Sequence, residues 1–294
     1  MALKRFLTIG FVATVLVACG DDSSSATDSD EVSSSSVCED CDDSSSSKVM
    51  SCSSSVKSSS SSVVSSSSVS DAYVAPSTVV KGTVTDERDG KTYKTVKIGS
   101  QTWMAENLNY AYTKAPFHYN GMTSDSISWC YFDKSENCVK YGRLYTWAAA
   151  MDSVGEWSTN GKGCGEGKTC SPTYPVRGIC PEGWHLPDST EWNMLFTAVG
   201  GRLTAGKMLK SASGWNSSGN GTDSYSFTAL SAASRDYVGW SSEGDGAYFW
   251  SSTETDRYRA YSISLIDYSN FTYQRDNYKY DGFSVRCVKD LQAE

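Results

Sequence analysis

Residues 180–201 read Cys-Pro-Glu-Gly-Trp-His-Leu-Pro-Asp-Ser-Thr-Glu-Trp-Asn-Met-Leu-Phe-Thr-Ala-Val-Gly-Gly, and this stretch decides the fold. Asp188, just after Pro187, is placed to cap a helix, and Glu191 three residues on completes a capping box. Trp192, Leu195, Phe196 and Val199 fall at helical spacing and form one apolar stripe. Gly200-Gly201 ends the run, because glycine enters the left-handed region at no steric cost. The spacing predicts a helix over 188–199. A single striped helix must bury its stripe against other elements, so its flanks decide the architecture.

Both flanks are strand-like. Val80 to Leu108 reads as a meander, with Asp89-Gly90 as a hairpin turn and Gly99-Ser100 as a second turn. After the helix, β-rich segments recur at Tyr225–Leu230, Tyr248–Ser252, Ala260–Ile266, Phe271–Gln274 and Phe283–Val288, divided by Gly- and Ser-rich loops. Two further short helices are expected, over Leu144–Met151 by propensity and over Ala205–Lys210. Strands at both ends with helices between them indicate an α+β fold of antiparallel strands, two or three short helices and long loops.

The chain has 294 residues, and of its 36 aromatics only Phe6 and Phe11 precede Tyr73. The folded part is therefore expected over residues 77–294, as one domain. Six of the ten cysteines lie there, at 130, 138, 164, 170, 180 and 287. Six cysteines allow fifteen connectivities. Proximity suggests Cys130–Cys138 and Cys164–Cys170, which leaves Cys180–Cys287. The rival reading is a metal site, but only His118 and His185 are available and no cysteine pair has zinc-finger spacing. His185 in Trp184-His185-Leu186 reads as a packed loop residue. No metal and no cofactor are implied.

The start of the chain is an address. Lys4 and Arg5 precede an uncharged run, Phe6 to Val17, that is too short to span a bilayer. The run closes Leu16-Val17-Ala18-Cys19, which resembles the lipobox of bacterial lipoproteins. That resemblance implies a signal peptide over 1–18, lipidation of Cys19 and attachment to the cell envelope through a membrane anchor. The residues after Cys19 fit outer-membrane delivery and surface exposure. Residues 19–76 are Ser-rich, with ten carboxylates against Lys48 and Lys57. Such a segment cannot offset its ordering cost and is expected to be a disordered acidic tether. About 57 residues of flexible coil reach roughly 40 Å on average. Cys38-Glu-Asp-Cys41 and Cys52 in this tether lack the context of a zinc or thioredoxin motif.

Further residues carry a resemblance. They are Gly90-Lys-Thr-Tyr93, Ile98-Gly-Ser-Gln-Thr-Trp-Met-Ala-Glu-Asn-Leu108 and Tyr141-Gly-Arg-Leu-Tyr-Thr-Trp-Ala-Ala-Ala-Met151. Cys180-Pro-Glu-Gly-Trp-His-Leu-Pro187, Phe249-Trp-Ser-Ser-Thr-Glu254 and Gly282-Phe-Ser-Val-Arg-Cys-Val288 follow in order. Together they resemble the Fibrobacter succinogenes major paralogous domain, a family with no well-defined activity. More remotely, the Cys–Gly-Trp–helix–Cys frame is similar to C-type-lectin-like folds, including the formylglycine-generating-enzyme relatives. That analogy implies a fold and not a function.

The residues argue against catalysis. There is no Gly-x-Ser-x-Gly elbow and no phosphate loop. Glu182, Asp188, Glu191, Glu243, Asp245 and Glu254 offer carboxylate pairs, as any acidic domain does. Formylglycine-type chemistry needs reactive cysteine near the C-terminal strands, where Cys287 alone is present and is expected to pair. The acidic balance, net −8, excludes a nucleic-acid groove. Aromatics interleaved with Asn, Asp, Ser and Gly between Ser211 and Tyr280 instead suit sugar rings or protein contacts. Trp215, Asn216, Tyr237 and Trp240 are the candidate ligand-binding residues, on loops, with Phe249, Trp250 and Phe283 assigned to the core. The expectation is a surface lipoprotein with a recognition domain for polysaccharide or a surface partner. A structural envelope protein making protein contacts, or a cryptic enzyme, are the alternatives.

Overall fold

The computed structural model describes residues 73–291 except 115–116, 120–121 and 125–126, with 117–119 and 122–124 described by backbone alone. The signal peptide, Cys19, Cys38, Cys41, Cys52 and the tether up to residue 72 lie outside the described residues.

The N-terminal meander forms as expected. Strand β1 (Val80–Asp86) turns at Asp89-Gly90 into β2 (Lys91–Ile98), which pairs with β3 (Gln101–Met104). A small hairpin, β4 (Phe117–Tyr119) and β5 (Met122–Ser124), precedes β6 (Ser128–Trp129), helix α1 (Ser135–Tyr141) and β7 (Leu144–Tyr145). Helix α2 (Trp147–Ala150) and a long irregular stretch lead to β8 (Trp184–His185) and the helices α3 (Ser189–Ala198) and α4 (Arg202–Leu209). The chain ends in β9 (Gly246–Glu254), β10 (Arg259–Ile266), β11 (Thr272–Tyr278), β12 (Phe283–Ser284) and β13 (Val288–Lys289).

Two sheets result. One has the order β1-β2-β3-β13-β8 and is antiparallel throughout. The other has the order β11-β10-β9-β12-β7-β6, with only β12 and β9 parallel. The fold is α+β with mostly antiparallel sheets. The capping box of α3 is complete: Asp188 accepts from Thr190 and Glu191 amides, and Glu191 accepts from the Asp188 amide. Its stripe packs Trp192 against Trp103 at 4.6 Å and against Phe249 at 5.7 Å. Each such buried ring contributes on the order of 2–3 kcal/mol. A second core gathers Tyr145, Trp147, Met151, Ile179, Trp250 and Val285. Cys180–Cys287 lies inside this core, with Cys130–Cys138 and Cys164–Cys170 as the other two disulfides.

Four local expectations are corrected. Leu144–Met151 is not one helix: Leu144 and Tyr145 pair in β7, and the Thr146 side chain caps the short α2. The final segment is two strands in different sheets, because the buried link 285–287 crosses between them, its carbonyls accepting from Leu108 and Met104. The helix expected over Ala205–Lys210 begins earlier, at Arg202. Tyr225–Leu230 is a loop, with Ser226 at φ 54° and Thr228 at φ 51°, outside strand geometry. A fully buried cation holds it there. The Arg286 guanidinium lies over Phe227 and donates to the Phe227, Thr228 and Met104 carbonyls and to Asn107 Oδ1. Burial pulls its pKa down to about 9. Buried Lys210 does the same for residues 266–269, donating to the Ile266 and Ser269 carbonyls. Residues 73–76 also take part in the packing: Val74 donates to Ala198 and accepts from the Tyr225 hydroxyl.

Candidate functional site

Among the aromatic residues that reach the surface, Phe132, Tyr237, Trp240 and Tyr278 lie on three short segments linked by ring and backbone contacts. The first is the turn after β6. Cys130–Cys138, with Cα atoms 4.8 Å apart, closes an eight-residue span around Tyr131-Phe132-Asp133. Phe132 and Asp133 have φ 52° and 55°, a left-handed conformation that costs a bulky residue energy. Phe132 nevertheless stays 53% exposed. Beside it Tyr131 is buried, its hydroxyl donating to Ser241 O and accepting from the Glu243 amide. Glu243 in turn accepts from Tyr141 and Lys140, which hold its carboxyl below the usual carboxylate range.

The second segment is the tight turn Arg235–Trp240. Asp236 Oδ1 accepts from the Val238 and Gly239 amides, leaving Tyr237 53% exposed at the tip. Trp240 is half-buried, edge-on to Tyr131 at 5.5 Å and tilted against Phe132 at 5.8 Å. The Arg235 guanidinium sits between Trp129 at 4.2 Å and Trp240 at 5.3 Å. Burial lowers its pKa, with Asp133 opposing.

The third segment is residues 278–282. Gly282 and Arg235 exchange two backbone hydrogen bonds, at 2.6 and 3.0 Å. A Cβ at Gly282 would stand 3.1 Å from the Arg235 Cβ and 3.3 Å from the Trp129 ring, so a larger residue there would push these neighbours apart by a few tenths of an ångström. Tyr280 meets Tyr237 edge-on at 6.4 Å and stacks on exposed Tyr278 at 4.9 Å and 8°. Beneath them, burial, with the charge of Asp236 adding to it, pushes the Asp281 carboxyl up to about 7.

Of the candidates read from sequence, Tyr237 and Trp240 share this face. Asn216 lies behind it and braces the 243–245 loop through Glu243 O and Asp245 Oδ1. Trp215 is a correction. It is only 6% exposed, its indole N–H is taken by Ser211 Oγ, and its ring lies under the Lys210 ammonium. The loop it occupies folds inward because Lys210 needs that cover. Phe132 precedes the aromatic-rich stretch from Ser211 to Tyr280. The signal was there, in an aromatic pair between two nearby cysteines.

Of the carboxylates considered for catalysis, all but exposed Glu182 have structural partners. Asp188 and Glu191 cap α3, and Glu254 accepts from the buried Lys279 ammonium and the Cys170 amide. His185 is buried on β8, with Nε2 2.8 Å from Glu191 and Nδ1 2.6 Å from Asp290. Both ring nitrogens are engaged by carboxylates, so the group ties α3 to the end of β13. Among the described residues, no three His, Cys, Asp or Glu are placed to hold a metal ion.

No curated protein and no solved structure matches this chain. The Fibrobacter succinogenes major domain matches over residues 96–289, which takes in the six-stranded sheet, β3, β8 and β13 of the other, the Cys180–Cys287 bond and the aromatic face, and the chain belongs to that family.

Proposed function

We propose that this protein is a lipid-anchored envelope protein that displays a non-catalytic recognition domain, C-type-lectin-like in architecture, for polysaccharide. The observation that carries the reading is the aromatic face. Phe132, Tyr237, Trp240 and Tyr278 lie on one surface, the first three on strained or hydrogen-bonded turns and Tyr278 at the end of β11, with a disulfide beside them. Exposed rings offer flat apolar area with polar neighbours, which suits the faces of sugars. Strain held in place by surrounding structure is a mark of sites where geometry matters. The lectin-like reading is supported by the meeting of early and late strands, β3 and β13, in one sheet. Delivery follows from the lipobox-like end at Cys19 and the acidic tether, which would hold the domain away from an anionic membrane surface.

Retention of the full chain on insoluble polysaccharides and glycan arrays tests the binding. Both Trp240→Ala and Phe132→Ala are expected to abolish retention, Phe132→Ala leaving the urea midpoint within the range of surface substitutions and Trp240→Ala lowering it, because half-buried Trp240 packs on Tyr131. Absence of retention, or retention unchanged in both variants, overturns it. Cross-linking in intact cells that traps a protein neighbour through Trp240 would favour the surface-partner alternative. Cys19→Ser is expected to release the protein from the membrane fraction.

A further inference from the structure

We propose that a second cleft, beside the β1–β2 turn and sharing no residue with the aromatic face, binds one neutral sugar residue. The cleft has a volume near 560 Å³, within the usual range for small-ligand sites. Three chain segments meet there, at Asp86–Arg88, Trp157 and Arg177–Glu182.

Its walls are fixed by unusual local bonding. Asp152, fully buried, accepts the amides of Glu156, Trp157 and Ser158 and the Tyr112 hydroxyl, and so sets the turn that carries Trp157. Arg177 donates to the Trp157 carbonyl at 3.0 Å and to the Cys180 carbonyl. Arg88 is bidentate to Asp86 at 2.7 and 2.8 Å, donates to Ile179 O, and lies over the Tyr110 and Trp157 rings.

Within this framework two donors have no acceptor. Arg88 Nη1, on a side chain only 7% exposed, and Trp157 Nε1 are both buried and unpaired. Buried N–H groups are nearly always paired. Two orphans from segments distant in sequence, on residues lining one cleft, point to a ligand with acceptor oxygens. Both atoms are shielded from solvent, so binding requires the Trp157 indole to shift for a ligand to reach them.

The charge of the cleft selects among acceptors. Asp86 neutralises Arg88 directly, and exposed Glu87 and Glu182 line the same cleft as the remaining Arg177. The lining thus carries three carboxylates against two guanidinium groups, which opposes an anion. A hydroxyl can accept from an N–H and donate to a carboxylate at once, and this mixed set matches a polyhydroxylated ring. The choice of a sugar among neutral polyols rests on the reading proposed above.

The test follows the Trp157 indole N–H resonance in the ¹⁵N-labelled full chain, assigned by its loss in Trp157→Phe. The probes are methyl glycosides of glucose, galactose, mannose and xylose up to about 50 mM, with glucuronate and inorganic phosphate as anionic controls. At least one neutral glycoside is expected to shift the resonance saturably. Glu182→Gln is expected to weaken that binding about tenfold, and Trp240→Ala to leave it unchanged. Followed through the Glu182 amide, Trp157→Phe is expected to weaken it by a similar factor. No shift with any neutral glycoside, a shift with the anions alone, or undiminished affinity in Trp157→Phe overturns the proposal. Loss of polysaccharide retention with this titration intact would sink only the aromatic-face reading; the reverse would sink only this one.

Discussion

Cys180 and Cys287, 107 residues apart in sequence, are bonded with Cα atoms 5.9 Å apart and both side chains fully buried. The bond joins the approach to β8 to the residue just before β13, so it closes most of the C-terminal half into one loop. In the chain-entropy picture a loop of this length stabilises by about 4–5 kcal/mol. The double variant Cys180→Ala/Cys287→Ala is expected to lose stability of that order in urea denaturation. Peptide mapping of unreduced protein is expected to recover the 180–287 pair.

The smaller disulfide next to the aromatic face has a different expected signature. Cys130–Cys138 closes only eight residues, for which the same estimate is about 2–3 kcal/mol. Replacing both cysteines with serine removes no ring from the surface. It frees the turn that holds Phe132 at positive φ. Polysaccharide retention is expected to weaken severalfold even at temperatures where the variant remains folded by circular dichroism.

His185 gives a pH dependence whose sign can be worked out. Burial pushes its pKa down, but Glu191 and Asp290 together outweigh that and raise it above the ordinary 6.5. The folded state therefore holds the proton more tightly than the unfolded chain. Its contribution is fully present below pH 6.5 and is lost as pH rises through the higher folded value. Urea midpoints measured across this window are expected to fall with rising pH. His185→Gln is expected to flatten that fall.

Asp281 works in a lower window. Burial, then the charge of Asp236, raises its carboxyl from 3.8 to about 7. The unfolded chain releases this proton first, so stability declines as pH rises from 3.8 to about 7 and is level above. Asp281→Asn keeps an acceptor for the backbone and removes the charge. It is expected to stabilise the protein at pH 8, by as much as about 4 kcal/mol, and to have little effect at pH 3.

Where capping, turn or near-neighbour cysteine rules apply, the structure follows them, whereas propensity alone misleads at Leu144–Met151. The Asp188/Glu191 capping box, the Asp89-Gly90 turn and the near-neighbour cysteine pairs each depend on residues a few positions apart, and each is present. What escaped reading depends on contacts between distant segments. Arg286, Lys210 and Lys279 are buried cations that donate to backbone carbonyls, and a carbonyl has no sequence signature. They pull the Tyr225–Leu230 segment out of strand geometry and bury Trp215, two points at which periodicity and loop composition mislead. Helix α1 was missed because its seven residues carry no apolar stripe and owe their place to the Cys130–Cys138 bond. For the aromatic face, Tyr237 and Trp240 were legible as loop aromatics. Phe132 needed the disulfide turn to bring it to them.

The position of β1 has a mechanical consequence. It is the outermost strand of its sheet, and its first residue, Val80, pairs with Lys97 at the end of the hairpin farthest from the Asp89-Gly90 turn. A force applied from the N-terminal side therefore reaches the Val74 bonds to Ala198 and Tyr225 first. It then peels β1 from β2 one rung at a time, the soft unzipping direction of a hairpin. However far that outer strand is drawn out, the chain from 180 to 287 stays covalently closed, so tension from the N-terminal side peels this strand before it can pull the ring-bearing turns at 235–240 and 278–282 apart.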